Sequence, residues 1–206
     1  ILRDWLATHG SKFNSWVLSD RNVDKPVENY GVHEWNSERF KVLGKIRNDS
    51  VYYSTDLAND YLVVDVDNFL APDTVQRLWD WNVPVVAPLL HCVDPEQPAY
   101  SNYHSHIDDR GYYADHQDYY KIWKGHIRGL IEVPVVHCTY LIKHDWLNYV
   151  NYLDDSTDYE YVIFSRHLRQ CDIPQYLDNT KLGGYLTCRE YVDKDRKSTR
   201  LNSSHT

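Results

Sequence analysis

The chain has 206 residues, of which 22 are lysine or arginine and 30 are aspartate or glutamate, so its formal net charge is −8 at pH 7. A nucleic-acid-binding surface carries a basic footprint, so this charge argues against a DNA or RNA partner. No apolar stretch approaches the roughly 20 residues that a membrane-spanning helix needs, and the length suffices for one domain with its own core.

The first predicted element is a helix at the very start of the chain, because Leu2, Trp5 and Leu6 recur at helical spacing. Residues 15–18 are predicted to form a short strand, and residues 20–31 a polar loop. The chain contains no methionine and begins inside this helical pattern. We therefore expect an N-terminally truncated domain, with an apolar sheet edge left uncovered near the first helix.

A long helix is predicted next, with Asn36 as its N-cap and its end near residue 58. Phe40, Leu43 and Arg47 fall on adjacent turns of this helix. Arg39 and Arg47 are candidates for phosphate or nucleotide contacts, because a guanidinium group can bind an oxyanion through two hydrogen bonds. A solvated or salt-bridged helix face is the alternative for both arginines.

The most informative stretch is residues 60–72, where an apolar run ends in two carboxylates. The run 62–64 predicts a strand that is buried on both faces of a parallel sheet, and such sheets bind ligands beyond the carboxyl ends of their strands. Asp65 and Asp67 should then face one side, because alternate residues of an extended chain point the same way. Both carboxylates can then approach one hard divalent cation, which prefers oxygen ligands. The alternatives are a solvated strand end or a helix N-cap.

The following residues complete a predicted strand–helix–strand unit, with a helix from 72–74 to about Trp81 and an apolar strand over 84–90. Residues 91–120 are rich in Asp, His and Tyr and predict a long binding loop. Within this loop, His104 and His106 lack a third ligand at zinc-site spacing, so a zinc site is not expected there.

The last third of the chain predicts a near-continuous strand over 133–142, a helix over 161–168 and a strand over 173–177. His137 lies on the first of these strands and is predicted to be a core residue. Residues 195–205 match the translation of a common sequencing-adapter DNA, so residues 195–206 are expected to be a disordered artefact. The chain has four cysteines, Cys92, Cys138, Cys171 and Cys188. They form either disulfides or buried thiols, and the sequence leaves both possibilities open.

Seven ordered segments carry a further signal: residues 1–6, 34–47, 60–70, 85–90, 100–103, 111–113 and 133–142. In this order and spacing they resemble the procollagen galactosyltransferase family and, more distantly, the glycosyltransferase-like domains of lysyl hydroxylases. The resemblance implies that residues 1–194 form a partial GT-A-type domain. Such a domain has an α/β, Rossmann-like sheet that binds a nucleotide sugar and is flanked by helices.

The same resemblance implies an activity: transfer of a hexose, galactose or glucose, from a UDP-sugar to a hydroxyl such as that of hydroxylysine in a collagen-like protein. The implied location is the lumen of the endoplasmic reticulum. A non-catalytic accessory domain of the same fold and a glycosyltransferase that acts on another glycan are the alternatives.

The resemblance also implies roles for individual residues. Asp65 and Asp67 would be ligands of Mn²⁺ or Mg²⁺, and Asp65 would also contact the UDP-sugar together with Arg39, Arg47 and Asn68. Two further positions concern the start of the later helix. Glu160 matches the second member of an acidic pair in the family and would contact the acceptor hydroxyl or a hydroxyl of the donor sugar, whereas Tyr159 replaces the first member. A favourable charge in the first turn of a helix is the alternative for Glu160.

The family tends to supply a late histidine as a further metal ligand. Residues 187–193 contain none, so either Glu190 or Asp193 replaces it or the ligand lies beyond this sequence.

Overall fold

A computed structural model of the chain describes residues 2–18 and 36–187. Among them, the helices are α1 (Leu2–His9), α2 (Ser37–Asp56), α3 (Thr74–Asp80), α4 (Gln117–Trp123) and α5 (Glu160–Gln170). The first strands are β1 (Tyr61–Val64), β2 (Asn68–Leu70), β3 (Val85–Pro88), β4 (Leu90–Cys92) and β5 (Tyr103–His104). The later strands are β6 (Leu130–Glu132), β7 (Val135–Val136), β8 (Thr139–Ile142), β9 (Gln175–Asp178) and β10 (Gly184–Leu186). Short 3₁₀ helices occupy Gly10–Lys12 and His144–Tyr149.

A five-stranded sheet in the order β1–β8–β3–β9–β6 forms the centre of the domain. Only β3 and β9 run parallel, and the other pairs are antiparallel. All four residues of β3 are buried, as expected for its nearly continuous apolar sequence. Helices α2 and α5 contact each other, and α3 packs on β3. The predicted α/β class with a helix-flanked sheet is confirmed.

Strand β1 was predicted to be buried on both faces of a parallel sheet, and this prediction is wrong. It pairs with β8 alone among the described strands, and the pairing is antiparallel. The antiparallel β8 therefore separates β1 from β3, the two strands of the predicted strand–helix–strand unit. Because β1 lies at this sheet edge, Val63 is buried whereas Val64 is 43 % exposed.

The predicted strand over 133–142 is broken into β7 and β8. Cys138 causes the break, since its φ of 62° lies in the left-handed region, which does not continue an extended strand. Strand β7 consequently pairs with β5 in a two-stranded sheet, whereas β8 enters the central sheet. The break leaves His137 and Cys138 at the end of the central sheet.

The N-terminal predictions are only partly met. Helix α1 is present and buries none of its residues, with Leu2 and Trp5 about half exposed. Residues 15–18 have no regular structure, so the predicted strand there is wrong. A short apolar run forms a strand only when a neighbouring strand supplies backbone hydrogen bonds, and no described strand pairs with residues 15–18. The predicted loop over 20–31 and the tail over 195–206 lie outside the described residues.

Three of the four cysteines lie in the described part of the chain, and all three are free thiols that form no disulfide. Cys92 and Cys138 are partly buried, whereas Cys171 is exposed, so the expectation of buried thiols does not hold for Cys171. Cys188 lies outside the described residues. No helix within residues 2–18 and 36–187 has the length and apolar character needed to cross a bilayer.

A second sheet has the strand order β2–β10–β4, and its strand β2 follows the turn after β1. Gly184 in its middle strand has a φ of 151°, and a Cβ atom there would lie 2.1 Å from the carbonyl oxygen of Phe69. Backbone cannot move aside as a flexible side chain can. The sheet therefore requires glycine at this position.

We predict that Gly184→Ala destabilises the fold by more than about 2 kcal/mol, because backbone strain and a backbone clash act together. Gly125→Ala is the matched control: its φ is also positive, at 73°, but nothing lies within 4 Å of the added Cβ. Urea unfolding of both variants measures the difference. Equal losses of stability would show that the clash with Phe69 has no effect.

Candidate functional site

The two aspartates predicted to bind metal lie where the chain leaves β1. The Asp65 amide donates to the carbonyl of Cys138 at 3.0 Å, and the Asn68 amide donates to the carbonyl of Asp65 at 3.0 Å. The second bond closes a four-residue turn from Asp65 to Asn68. Asp67 therefore sits in a turn and not on an extended strand, and the prediction that both residues continue the strand is wrong. A turn replaces the strand because Asn68 must start β2 in a different sheet.

Arg47 is the buried centre of the charged groups near this turn. It is 8 % exposed, its Nη2 donates to Asp65 Oδ1 at 2.9 Å, and its Nε lies 3.5 Å from Glu160 Oε1. Burial by itself lowers the pKa of Arg47, but Tyr140, Asp65, Tyr152 and Glu160 raise it further than burial lowers it. Arg47 is therefore a fixed positive charge that holds two carboxylates from distant parts of the chain.

Helix α2 can place Arg47 so deeply because it approaches the segment after β8 very closely. Gly44 faces that segment, and a Cβ there would lie 2.7 Å from the carbonyl oxygen of Tyr152. One turn later, the Asn48 side chain accepts from the Tyr152 amide at 2.9 Å and donates to Asn151 Oδ1 at 2.9 Å. The predicted N-cap is confirmed, since Asn36 Oδ1 accepts from the Arg39 amide.

Glu160 is the first residue of α5 and is 6 % exposed. Burial raises the pKa of its carboxyl group, although the charge of Arg47 opposes that shift. The carboxyl group is consequently a better proton acceptor than an ordinary surface glutamate when it is ionised.

Asp158 fixes the start of α5 and was missed by the sequence reasoning. It is 6 % exposed and accepts from Arg110 at 2.6 Å, from the Tyr112 hydroxyl at 3.0 Å and from Arg166. Burial tends to raise the pKa of Asp158, but these hydrogen bonds lower it overall. An acid just before a helix is a weak signal in sequence, because solvent-exposed acids are common there.

Asp67 is exposed and is the more accessible of the two aspartates at the turn. Its pKa is raised, first by partial burial and then by the negative charge of Asp65. Two neighbouring carboxylates at an accessible turn suit a hard divalent cation, which prefers oxygen ligands. The donor set therefore fits the predicted Mn²⁺ or Mg²⁺.

The two other predicted nucleotide contacts occupy different positions. Asn68 donates its side-chain amide to Thr139 Oγ1 at 2.7 Å, which ties the turn to β8. Arg39 is half-buried, about two turns before Arg47 on α2. The structure thus brings Arg47, Asp65 and Glu160 into one charged cluster beside Asp67.

A pocket of about 520 Å³ has mostly aromatic walls, and none of its lining residues belongs to the charged cluster. Its lining includes Tyr161, the neighbour of Glu160, and His137, the neighbour of Cys138. The His137 and Tyr161 ring centroids are 4.9 Å apart. Sequence reasoning placed His137 in the core, and it is indeed 4 % exposed. The aromatic content was visible in the sequence, but its convergence on one pocket was not.

Two other residues that can bind a metal ion lie beside His106, although the sequence showed no third ligand at zinc-site spacing. The ligating atoms of His106, His116 and Asp118 lie within 4.8 Å of one another. Protein groups already engage two of them, since His116 Nδ1 accepts from the Asp118 amide and Asp118 pairs with Lys121 at 2.9 Å. His104 is not part of this group.

The mixed sheet flanked by helices, with a carboxylate-bearing turn at the end of one strand, defines a GT-A-like glycosyltransferase domain. A family model described as "Glycosyltransferase family 25, N-terminal domain" matches residues 1–198. The chain belongs to this family.

Three relatives illustrate the range within the family. The chain is 28 % identical over 198 residues to procollagen galactosyltransferase 1-A of Xenopus laevis, covering 90 % of this chain and 31 % of the relative. It is 30 % identical over 197 residues to procollagen galactosyltransferase 2 of Homo sapiens, with the same coverage of 90 % and 31 %. It is 25 % identical over 215 residues to the probable inactive glycosyltransferase 25 family member 3 of Bos taurus, covering 100 % of this chain and 36 % of the relative. The chain thus spans about a third of the length of these relatives.

Proposed function

We propose that this domain transfers a hexose, galactose or glucose, from a UDP-sugar to a hydroxyl of a collagen-like protein, with the help of a divalent metal ion. The observation that carries the proposal is the charged cluster at the end of β1. Arg47 joins Asp65 to Glu160, and Asp67 stands beside them at the accessible turn. The names of the procollagen galactosyltransferase relatives suggest the donor sugar and the acceptor.

Asp67 and Asp65 would hold the metal ion, Mn²⁺ or Mg²⁺. When bound, such an ion acts as a Lewis acid that neutralises negative charge on a diphosphate leaving group. Arg47 binds one oxygen of Asp65, which orients the carboxylate and leaves its other oxygen for a ligand. Arg47 is thus a positioning residue in this proposal, whereas Arg39 and Asn68 are proposed to contact the nucleotide sugar.

Glu160 is proposed to accept a proton or a hydrogen bond from the acceptor hydroxyl. Its raised pKa makes it a stronger base than an exposed glutamate, and its position at the start of α5 is fixed through Asp158. A hydroxyl that loses its proton as it attacks needs such a positioned acceptor.

We expect Glu160→Gln to lower transfer by about 10²-fold or more while UDP affinity stays unchanged, the loss typical of removing a positioned acid or base. Glutamine keeps the shape and one hydrogen-bonding oxygen but lacks the charge. The assay measures UDP release from UDP-galactose and UDP-glucose with Mn²⁺ and a collagen-type peptide that contains hydroxylysine. Glu132→Gln, at an exposed position of β6, is the matched control. Undiminished transfer in Glu160→Gln would contradict the role of Glu160.

A non-catalytic domain of the same fold is the second candidate, and two observations favour it. One relative is named as probably inactive. In addition, Tyr159 stands where the family has an acid, and its ring packs edge-on against Phe40 at 4.2 Å and stacks on Tyr161 at 5.5 Å. A tyrosine in these contacts serves packing. Absence of turnover with every UDP-hexose, in a protein that binds UDP with Mn²⁺, would favour this candidate.

A further inference from the structure

The two ends of the loop between β5 and α4, residues 105–116, bring together three side chains that can bind a metal ion. One ring nitrogen each of His106 and His116 and one carboxylate oxygen of Asp118 all lie within 4.8 Å of one another. Ligand atoms at about 2.0–2.2 Å from a zinc ion are roughly 3.4 Å from one another, so these atoms need to approach by at most about 1.5 Å. All three side chains are partly exposed and can rotate by that distance.

Backbone hydrogen bonds hold the two ends of this loop together. The Ala114 amide donates to the carbonyl of His106 at 3.1 Å, and Ile107 pairs with Tyr113 in an isolated antiparallel bridge. Near the tip of the loop, Asp108 Oδ1 accepts from two backbone amides at 2.9 Å. A metal ion would therefore not have to close a flexible loop, which keeps the entropic cost of binding small.

Each of the three residues has a further atom to offer an ion beside those that protein groups engage. His116 Nδ1 accepts from the Asp118 amide at 3.2 Å, and this bond does not involve Nε2 of the ring. Lys121 binds Oδ1 of Asp118 at 2.9 Å, whereas Oδ2 lies 3.3 Å from His116 Nδ1. His106 Nδ1 has only a long contact of 3.4 Å with the Ser105 hydroxyl, and the His106 and His116 ring centroids are 3.6 Å apart.

The types of ligand indicate the class of ion. Imidazole nitrogen suits Zn²⁺, Cu²⁺ and Ni²⁺, whereas Mn²⁺, Mg²⁺ and Ca²⁺ prefer oxygen ligands. Two imidazoles with one carboxylate therefore favour Zn²⁺, which takes four ligands and would keep one position for water. The turn that carries Asp65 and Asp67 offers carboxylates, so the two places should select different ions.

We propose that His106, His116 and Asp118 form a zinc site that fixes the loop between β5 and α4. The loop carries Tyr112 and Tyr113, which line the aromatic pocket, so a bound ion would also fix one side of that pocket. Zinc-site spacing could not predict the site, because the loop separates His106 from the other two ligands. The site does not include any residue of the charged cluster and is independent of the proposed function.

The test measures Zn²⁺ binding to the 206-residue chain by isothermal titration calorimetry, after chelator treatment and in the presence of excess Mn²⁺. We expect Zn²⁺ to bind under these conditions. His106→Gln should weaken this binding by at least about tenfold, since even the outer-shell partner of a metal ligand contributes about 10–100-fold in affinity. His116→Asn should have the same effect, although asparagine can still cap α4. His126→Gln, at an exposed position outside the cluster, is the matched control.

Trypsin cleavage after Arg110 tests whether the ion fixes the loop. Arg110 lies within the loop, and its ion pair with Asp158 at 2.6 Å must break before the protease can bind its side chain. Because this step opens the loop, Zn²⁺ at ten times its dissociation constant should slow the cleavage by about tenfold. Cleavage after Lys181, an exposed residue outside the loop, is the internal control and should not change.

The outcomes separate the zinc site from the catalytic proposal. Asp67→Ala should bind Zn²⁺ as the unmodified chain does, and a loss of binding in this variant would place the ion at the turn after β1 and overturn the proposal. Zn²⁺ binding without any UDP-hexose turnover would support the zinc site and contradict the proposed function. The zinc site is also overturned if no Zn²⁺ binds, if His106→Gln and His116→Asn bind it as tightly as the unmodified chain, or if Zn²⁺ slows both cleavages equally.

Discussion

Replacing Asp67 with alanine should abolish Mn²⁺-dependent hexose transfer and leave the melting temperature unchanged. A metal ion on a leaving group contributes several kcal/mol of transition-state stabilisation, so we expect a loss of at least about 10³-fold in turnover. The fold should tolerate the change because Asp67 is exposed at the turn after β1. UDP release as a function of Mn²⁺ concentration measures the effect.

Asp145→Ala is the control for this experiment, because its side chain is 93 % exposed and lies in the 3₁₀ helix after β8. It removes the same charge from the chain without altering the turn. Asp67→Asn should fall between the two, since an amide keeps one oxygen but not the negative charge. If Asp67→Ala retains full turnover at the same Mn²⁺ concentration, Asp67 is not a metal ligand.

Replacing Arg47 with methionine should have the largest effect on stability. Removing one partner of a buried charged group leaves the other uncompensated, and the typical cost is about 3–5 kcal/mol. Here Glu160 would lose its nearby cation at 3.5 Å, and Asp65 would lose its hydrogen bond at 2.9 Å. Urea unfolding at pH 7 measures the loss. A change below about 1 kcal/mol would show that water replaces the guanidinium group.

The same variant predicts a pH dependence of definite sign. Burial already raises the pKa of Glu160 in the folded state, and Arg47 lowers it. Without Arg47 the folded pKa rises further, so the folded state holds a proton that the unfolded state has released. Stability of Arg47→Met should therefore fall as pH rises from the unfolded pKa of glutamate through the folded pKa of Glu160. The double variant Arg47→Met, Glu160→Gln should lack this fall.

Local sequence patterns predicted the helices better than the strands. Asn36 forms its cap as expected, and α2 ends at Asp56, two positions before the predicted end near residue 58. The start of α5 is also close to its prediction. Helix signals such as caps and spacing are contained within a few residues, so a sequence alone reveals them.

Strand pairing depended on contacts that no local pattern contains. The run 62–64 is as apolar as a buried parallel strand, yet β1 lies at the edge of the sheet beside the antiparallel β8. The break at Cys138 requires a positive φ at a residue that normally avoids it. Asp65 and Asp67 were recognisable as a pair, but the turn that holds them follows from the place of β2 in the second sheet.

The charged cluster shows the same limit. Arg47 was recognisable as a candidate from its type and helix position, whereas its ion pair with Glu160 joins α2 to the far end of the chain. Asp158 and the aromatic pocket both depend on contacts between α5 and the loop after β4, which are far apart in the sequence. No local pattern could therefore predict them.

The ion pairs of Arg47 also set the order in which the site can form during folding. Asp65 lies 18 positions from Arg47, so their hydrogen bond needs only a short loop to close. Glu160 arrives with α5, which docks after most of the chain has been made, and contacts between distant segments form slowly. A nascent chain that ends before α5 lacks both Glu160 and β10, the strand with which β2 pairs, so we expect the turn that carries Asp65 and Asp67 and the ion pair with Glu160 to become fixed only late in synthesis.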